Sequence, residues 1–344
     1  MRTFRTHPSG TTLPGAPRRP SLHVRILGGL VLLATLTGLV SGCGSSAPAI
    51  IPPPTRQVNP ACGTVTLAVN PWAGYEANVA VISYLARHKL GCKVVLKEDK
   101  EETSWKQLAE GSVDAIVENW GHDELKKRYI DREQLLVEGG LTGNKGIIGW
   151  YVPPWMVEKY PDITNWRNLN KYAYLFRTQS SGGKGQLLDG DPTYVTNDKD
   201  LVRNLKLDFT VVYSGSEDNL IKAFRKAERE KTPLLGYFYA PQWLFSELAL
   251  GHVSLPPYTP GCDASSTTVV CDYQPYDLDK IMNKDFALSG SPAAYLIENF
   301  SWTDADQNQV AYDIAHRRRT PDQAAERWVK NHQETWKEWL PPKK

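Results

Sequence analysis

The 344-residue chain has only one long apolar run, and it lies near the start. After residue 43 no segment has the roughly 20 consecutive apolar residues that a bilayer-crossing helix needs. There is no Gly-x-Ser-x-Gly elbow, no His-Glu-x-x-His signature and no evident nucleophile–base set, which argues against an exported hydrolase and against enzymes generally. Seven histidines and five cysteines are present, but no histidine or second cysteine sits at ligand spacing, so neither a metal nor a cofactor is expected. A basic excess is also missing. Arg2, Arg5, Arg18, Arg19 and Arg25 all precede Cys43, with no acid among them. Loss of that stretch takes the formal charge from +2 to −3. A slightly acidic protein has no electrostatic footprint for nucleic acid. The run His316-Arg317-Arg318-Arg319 reads as a solvated helix end.

What is present begins with an address. Arg18, Arg19 and Arg25 form a positive region before the apolar stretch Ile26–Val40, which has signal-peptide length. Val40-Ser41-Gly42-Cys43 then places small residues before a cysteine, the pattern of a lipobox. The Arg18-Arg19 pair fits twin-arginine export poorly. Residues 1–42 are read as a lipoprotein signal peptide and Cys43 as the lipidated residue. Residues 43–60, rich in small residues and prolines, form a flexible tether. The expected location is the extracytoplasmic face of the cell membrane, held there by lipid.

Export puts the four remaining cysteines in an oxidising place, and the local pairing is Cys62 with Cys92 and Cys262 with Cys271. Cys62 precedes the strand-like run Thr64–Val69, and Cys92 precedes the run Lys93–Lys97. Neighbouring parallel strands of a βαβ unit start side by side, so a bridge between them is feasible.

The folded part alternates between strand and helix patterns. Thr64–Val69, a helix over Tyr75–Lys89, Lys93–Lys97, a helix over Ser104–Gly111 and Ala115–Val117 make a βαβαβ opening. Ile147–Val152 is a strand that crosses into a second α/β run. That run comprises a strand near Tyr172–Phe176, a helix from Asp198, a strand at Phe209–Tyr213, a helix over Glu217–Glu228 and a strand over Pro233–Tyr239. From about Leu244 the pattern is helix and loop, ending in a helix over Pro321–Trp339 with Thr320 as cap and Pro321 in its first turn. The fold class is α/β, two-lobed, with the ligand cleft between the lobes. Lobe I takes residues 61–147 and 245–344, and lobe II takes 148–244.

Eleven tryptophans is a high count. Trp105, Trp166, Trp302, Trp328, Trp336 and Trp339 fit helical or tail patterns and read as packing. Trp72 and Trp120 each follow a strand, where a parallel sheet presents its ligand loops. Tyr239 follows a strand of the second run, with Trp243 nearby. Trp150 and Tyr151 lie on the crossing strand, where side chains alternate, so one of the two faces the cleft. Several rings converging on a cleft suit a trimethylammonium group, which has no N–H to donate and is held by ring quadrupoles. Packing of the lobes, or stacking on a sugar, is the alternative. An anion would be received at a helix N-terminus such as Gly74–Tyr75, at Ser214–Ser216, at the loop Ser180–Gly185, or by Lys184.

Trp72, the segment Ser104–Trp120, the strand Gly149-Trp150-Tyr151-Val152-Pro153 and Tyr239-Ala240-Pro241-Gln242-Trp243 together resemble the glycine betaine/choline family of ABC-transporter substrate-binding proteins. The resemblance covers about residues 63–340. It implies a periplasmic-binding-protein (type II) fold and an aromatic cage that includes Trp72 and Trp120. Tyr239 stands where many members have Trp in a Gly-Trp-x-Pro-His pattern. Gly74 stands where choline binders tend to place an acid, which leans away from choline. The implied partners are a betaine- or choline-like small molecule and an ABC permease, with the chain acting as a monomer. Carnitine, a sulfur-containing trimethyl betaine or an aromatic solute are the alternatives on the same scaffold.

Overall fold

The computed structural model describes residues 62–194 and 196–342. Cys43, the stretch before it and the tether lie outside the described residues. The chain opens as its pattern predicts: β1 (Thr64–Val69), α1 (Ala73–Leu90), β2 (Lys93–Glu98), α2 (Glu101–Ala109) and β3 (Ala115–Asn119). Both β2 and β3 pair parallel with β1. Helix α1 turns its small and apolar residues inward, from Ala77 to Ala86, and ends at Gly91, whose φ of 70° suits a residue without Cβ. Cys62 and Cys92 precede the paired starts of β1 and β2 and form a disulfide with Cα atoms 4.9 Å apart.

After the short helix α3 (Asp123–Lys126) comes β4 (Leu136–Val152), a 17-residue strand that serves both halves of the molecule. Its first part, Leu136–Gly146, pairs with β9 (Tyr276–Asn283), and its second part, Ile147–Tyr151, pairs with β7 (Leu235–Ala240). Between them the chain forms α4 (Pro154–Lys159), α5 (Leu169–Tyr172), β5 (Gly185–Asp189), α6 (Asp198–Asn204), β6 (Phe209–Tyr213) and α7 (Glu217–Glu230). The strand order is β2-β1-β3-β9-β4-β7-β5-β6, with β8 (Gly251–Val253) alongside the end of β4. The sheet is therefore mixed: parallel runs on each side are joined by antiparallel β9 and β4.

Several expectations are corrected. Tyr172–Phe176 is helical rather than extended: Tyr172, Ala173 and Phe176 are buried at helical spacing, which overrides the strand preference of their aromatic rings. The strand of that region is Gly185–Asp189. The tail is not only helix and loop. β9 escapes the sequence pattern because it carries Asp277, Asp279 and Lys280. Within it Lys280 is fully buried, its ammonium donating to the backbone carbonyls of Glu298 and Phe300, and burial pulls its pKa down to about 7. β8 pairs with β4 in the second half, and residues 254–273 stay there: Arg203 donates to Ser266 O at 2.6 Å and Asn204 to Val269 O at 2.8 Å. The disulfide Cys262–Cys271 closes this loop. The return to the first half thus comes with β9, later than residue 245.

The C-terminal helices α8 (Lys284–Leu288), α9 (Pro292–Asn299), α10 (Asp304–Ala315), α11 (Pro321–Asn331) and α12 (Gln333–Lys337) pack over the first half. The last of these were expected as one helix but break at His332. Thr320 caps α11 in a capping box with Gln323. The basic run after α10 does more than face solvent. Arg317, Arg319 and Arg327 surround the buried carboxylate of Asp313, at 3.0, 3.7 and 2.7 Å. Trp302 meets Trp328 edge-on and Trp328 stacks on Trp339, a packed core as their positions suggested.

Candidate functional site

The carboxyl end of β3 sets the geometry of the first half. Glu118 and Trp120 are two residues apart and share one face of the strand end. Glu118 is buried, and its Oε1 accepts the indole N–H of Trp120 at 2.9 Å and that of Trp72 at 2.7 Å. Its Oε2 accepts from Gln307 Nε2 at 2.7 Å and from Asn78 Nδ2. One carboxylate therefore fixes two indoles from separate loops. Tyr75 backs this arrangement from behind, its ring edge-on to Trp72 at 5.2 Å and its hydroxyl accepting from Val117 N–H at 3.3 Å. Gly146 gives Trp120 its room, since a Cβ there would lie 2.6 Å from the indole.

The second half supplies tyrosines. Tyr237 and Tyr239 project from one face of β7, while Phe238 points the other way against Phe224. Tyr194, on the loop after β5, stands perpendicular to Trp72 with centroids 6.1 Å apart and to Tyr239 at 6.4 Å. Tyr239 meets Trp120 edge-on at 5.7 Å, and Tyr276 meets it at 6.1 Å. These rings, with Ile148, Tyr258 and an acidic rim, line a cavity of about 600 Å³ between the two halves. That is a volume suited to a small solute.

Among the described residues, two hydrogen bonds tie the loop around Trp72 to the second half. Tyr194 OH donates to Pro71 O at 3.2 Å. Glu217, at the start of α7, accepts from Ala73 N–H at 2.8 Å, from Tyr239 OH at 2.6 Å and from Gln242 Nε2 at 3.1 Å. At the rim, His122 has φ of 55° and its Nε2 lies 2.7 Å from Glu101. Burial opposes its charge, but the Glu101 carboxylate outweighs that and raises its pKa. The histidine nearest the cleft is thus held against the Glu101 carboxylate.

The expected site residues separate into two groups. Trp72, Trp120 and Tyr239 line the cavity. Gly74, Tyr75, Trp150, Tyr151 and Trp243 do not. Gly74 lies inside α1, where a Cβ would meet Gln307 at 2.6 Å. The α1 N-terminus there, offered as an anion site, is capped by Glu217 at the Ala73 amide. Neither Trp150 nor Tyr151 faces the cavity. Trp150 is fully buried and donates to Asp198 Oδ1 at 2.7 Å, while Tyr151 packs between Phe245 and His252. The β4 residue that does face the cavity is Ile148. Trp243 packs against Tyr312, with the Arg225 guanidinium 5.0 Å over its ring. Of the other anion candidates, Ser216 spends its hydroxyl capping α7, Ser181 closes its own loop, and Lys184 borders a separate shallow surface with Lys199 and Arg203. Tyr194, Tyr237, Tyr258 and Tyr276 escaped the sequence reading. For Tyr237 a signal existed, since it precedes Tyr239 by two on one strand. Loop residues Tyr194 and Tyr258 carry no periodicity.

Burial pushes the Glu118 carboxyl up from 4.5 to about 7, even though the Trp72, Trp120 and Gln307 hydrogen bonds pull it down. An acid whose folded pKa exceeds its unfolded value holds an extra proton in the folded state between the two. Its contribution to stability is therefore lost as pH rises from about 4.5 to about 7, by roughly 3 kcal/mol. Glu118→Gln has no proton to lose there. Denaturant unfolding should show the variant gaining about 3 kcal/mol on wild type between pH 4.5 and pH 8. Parallel pH curves for the two proteins would contradict this.

Comparison with known proteins agrees with this geometry. The family described as the substrate-binding domain of ABC-type glycine betaine transport systems matches residues 63–331. A trimethylamine N-oxide-binding protein of Pelagibacter ubique is 26% identical over 196 residues, a stretch covering 54% of this chain and 61% of that protein. The chain thus matches about three fifths of that relative's length. Among solved structures, lactococcal OpuAC, closed and complexed with glycine betaine, superposes with a TM-score of 0.63 at 20% identity, over 81% of this chain and all of that one. An ABC-transporter choline-binding protein in complex with choline gives 0.65 at 15% identity, over 81% of this chain and 91% of that one. The fold is that of two-lobed substrate-binding proteins. With the match spanning most of its folded part, the chain belongs to the family of substrate-binding domains of ABC-type glycine betaine transport systems.

Proposed function

We propose that this protein captures a trimethylammonium-type solute in the cleft and delivers it to the permease of an ABC importer. The observation that carries the reading is the ring of perpendicular aromatics from both halves, Trp72 and Trp120 against Tyr194 and Tyr239. Perpendicular faces enclose a quaternary nitrogen on several sides, and each desolvated ring contributes roughly 0.5–2 kcal/mol. The acidic rim, with Glu101, Asp123, Glu124 and Asp263 against Lys127 and His122, favours a cationic group entering. The reading is of a binding protein rather than an enzyme. It assigns residues 61–147 and those from β9 onward to lobe I and the stretch between to lobe II, with β4 as one of two crossings.

Titration calorimetry with choline, glycine betaine, carnitine and trimethylamine N-oxide tests the reading. At least one should bind, and Trp120→Ala should weaken it tenfold or more, which corresponds to about 1.4 kcal/mol. Failure of all four to bind wild-type protein would sink the proposal, and unchanged affinity in the variant would remove Trp120 from the cage.

The signal at 1–42 and the lipid on Cys43 complete the proposal: a lipid-anchored receptor kept near its permease by the tether at 43–60. Cys43→Ser should appear in the medium instead of the membrane fraction after expression in a bacterial host. Continued membrane retention would count against anchoring at that residue.

A further inference from the structure

The first turn of α1, beside Trp72, is the place where a ligand carboxylate would find amide donors. The protein has put its own carboxylate there. Trp72 at the N-cap offers no side-chain acceptor, and Glu217 reaches across the cleft from α7 to accept from the Ala73 amide at 2.8 Å. The Glu217 side chain belongs to a residue only 7% exposed, so water does not compete for the bond. Its other oxygen takes the hydroxyl of Tyr239, a ring of the cavity, and the amide of Gln242. Three donors converge on its two oxygens and favour the carboxylate, against the burial that raises its pKa.

The cavity offers a second carboxylate little else. Lys127, the one lysine of the lining, pairs with Glu124 at 2.8 Å, and His122 pairs with Glu101. No arginine lines the cavity among the described residues. A ligand carboxylate entering here would face acids and find only neutral donors, tyrosine hydroxyls such as Tyr237 and the Gln274 side-chain amide, with both cations already paired to acids, so its desolvation is only partly repaid.

We propose that Glu217 is a specificity-determining residue that occupies the position of a ligand carboxylate, so that the site takes trimethylammonium or amine-oxide solutes without a carboxylate in preference to betaines. The inference rests on the aromatic-cage reading. To bind, a betaine has to expel Glu217 from the Ala73 amide or leave its own carboxylate unpaired. A ligand ending in a hydroxyl meets neither penalty, and the Glu217 charge behind Tyr239 adds to the attraction for its cation.

Choline and glycine betaine share the trimethylammonium group and differ at the far end, so the ratio of their dissociation constants isolates that end. Calorimetry at pH 8 on the full chain should give choline at least tenfold tighter binding than glycine betaine. Glu217→Ala should narrow the ratio at least fivefold, mainly by improving betaine. Glu217→Gln, which keeps an acceptor for Ala73 but not the charge, should fall between. Betaine binding as tightly as choline in wild type, or a ratio unchanged in both variants, overturns the proposal. Should Glu217→Ala fail to fold, the wild-type ratio and the Gln variant still decide. If neither ligand nor tetramethylammonium binds wild type at all, the cage reading itself falls and this inference falls with it.

Discussion

Glu118 is the point on which the site turns. Two indoles on separate loops, one after β1 and one after β3, are held by a single buried carboxylate oxygen. An indole N–H in a dry cleft must find an acceptor, and a buried carboxylate must find donors. Each need satisfies the other. The arrangement fixes the tilt of both rings before any ligand arrives, so a ligand bound there need not order them. Gln307 and Asn78 complete the carboxylate's shell and tie it to α10 and α1. Removing this anchor leaves two large amphipathic rings without a shared partner.

The second constraint is the junction of the halves. β4 runs through both, so the strand itself is continuous where the cleft lies. At the aromatic face of the cleft the tie is lighter: the Glu217 bond to Ala73 and the Tyr194 bond to Pro71. Both join the loop that carries Trp72 to the tyrosines, one through Tyr194 itself and the other through Glu217, which accepts from Tyr239. Any opening of the cleft breaks these bonds and separates the two sets of rings together, which links cage assembly to closure. Hinged closure around ligand is the motion expected of a two-lobed architecture.

Much of the first half was legible because its strands and helices each carry a clean period. Trp72 and Trp120 stood out by position alone, directly after strands. What stayed hidden depended on tertiary partners. β9 looks like a polar loop until Lys280 is seen bonded to two carbonyls and Asp279 to Asn119. Tyr172–Phe176 looks like a strand until its burial at helical spacing is seen. Trp150 and Tyr151 resembled site residues through their place on the crossing strand, yet both are packed beyond the cavity. The anion position at Gly74–Tyr75 was a sound reading of a helix N-terminus. Only the fold brings a glutamate from 144 residues along the chain to fill it.

The central claim is that one titrating carboxylate holds both cage indoles. The two side-chain N–H resonances of Trp72 and Trp120 in a ¹⁵N-correlated spectrum report on it most directly. Across pH 5 to 9 both should move with a single shared midpoint near 7, the value burial gives Glu118. Separate midpoints, or two resonances that stay put over that range, would contradict the account.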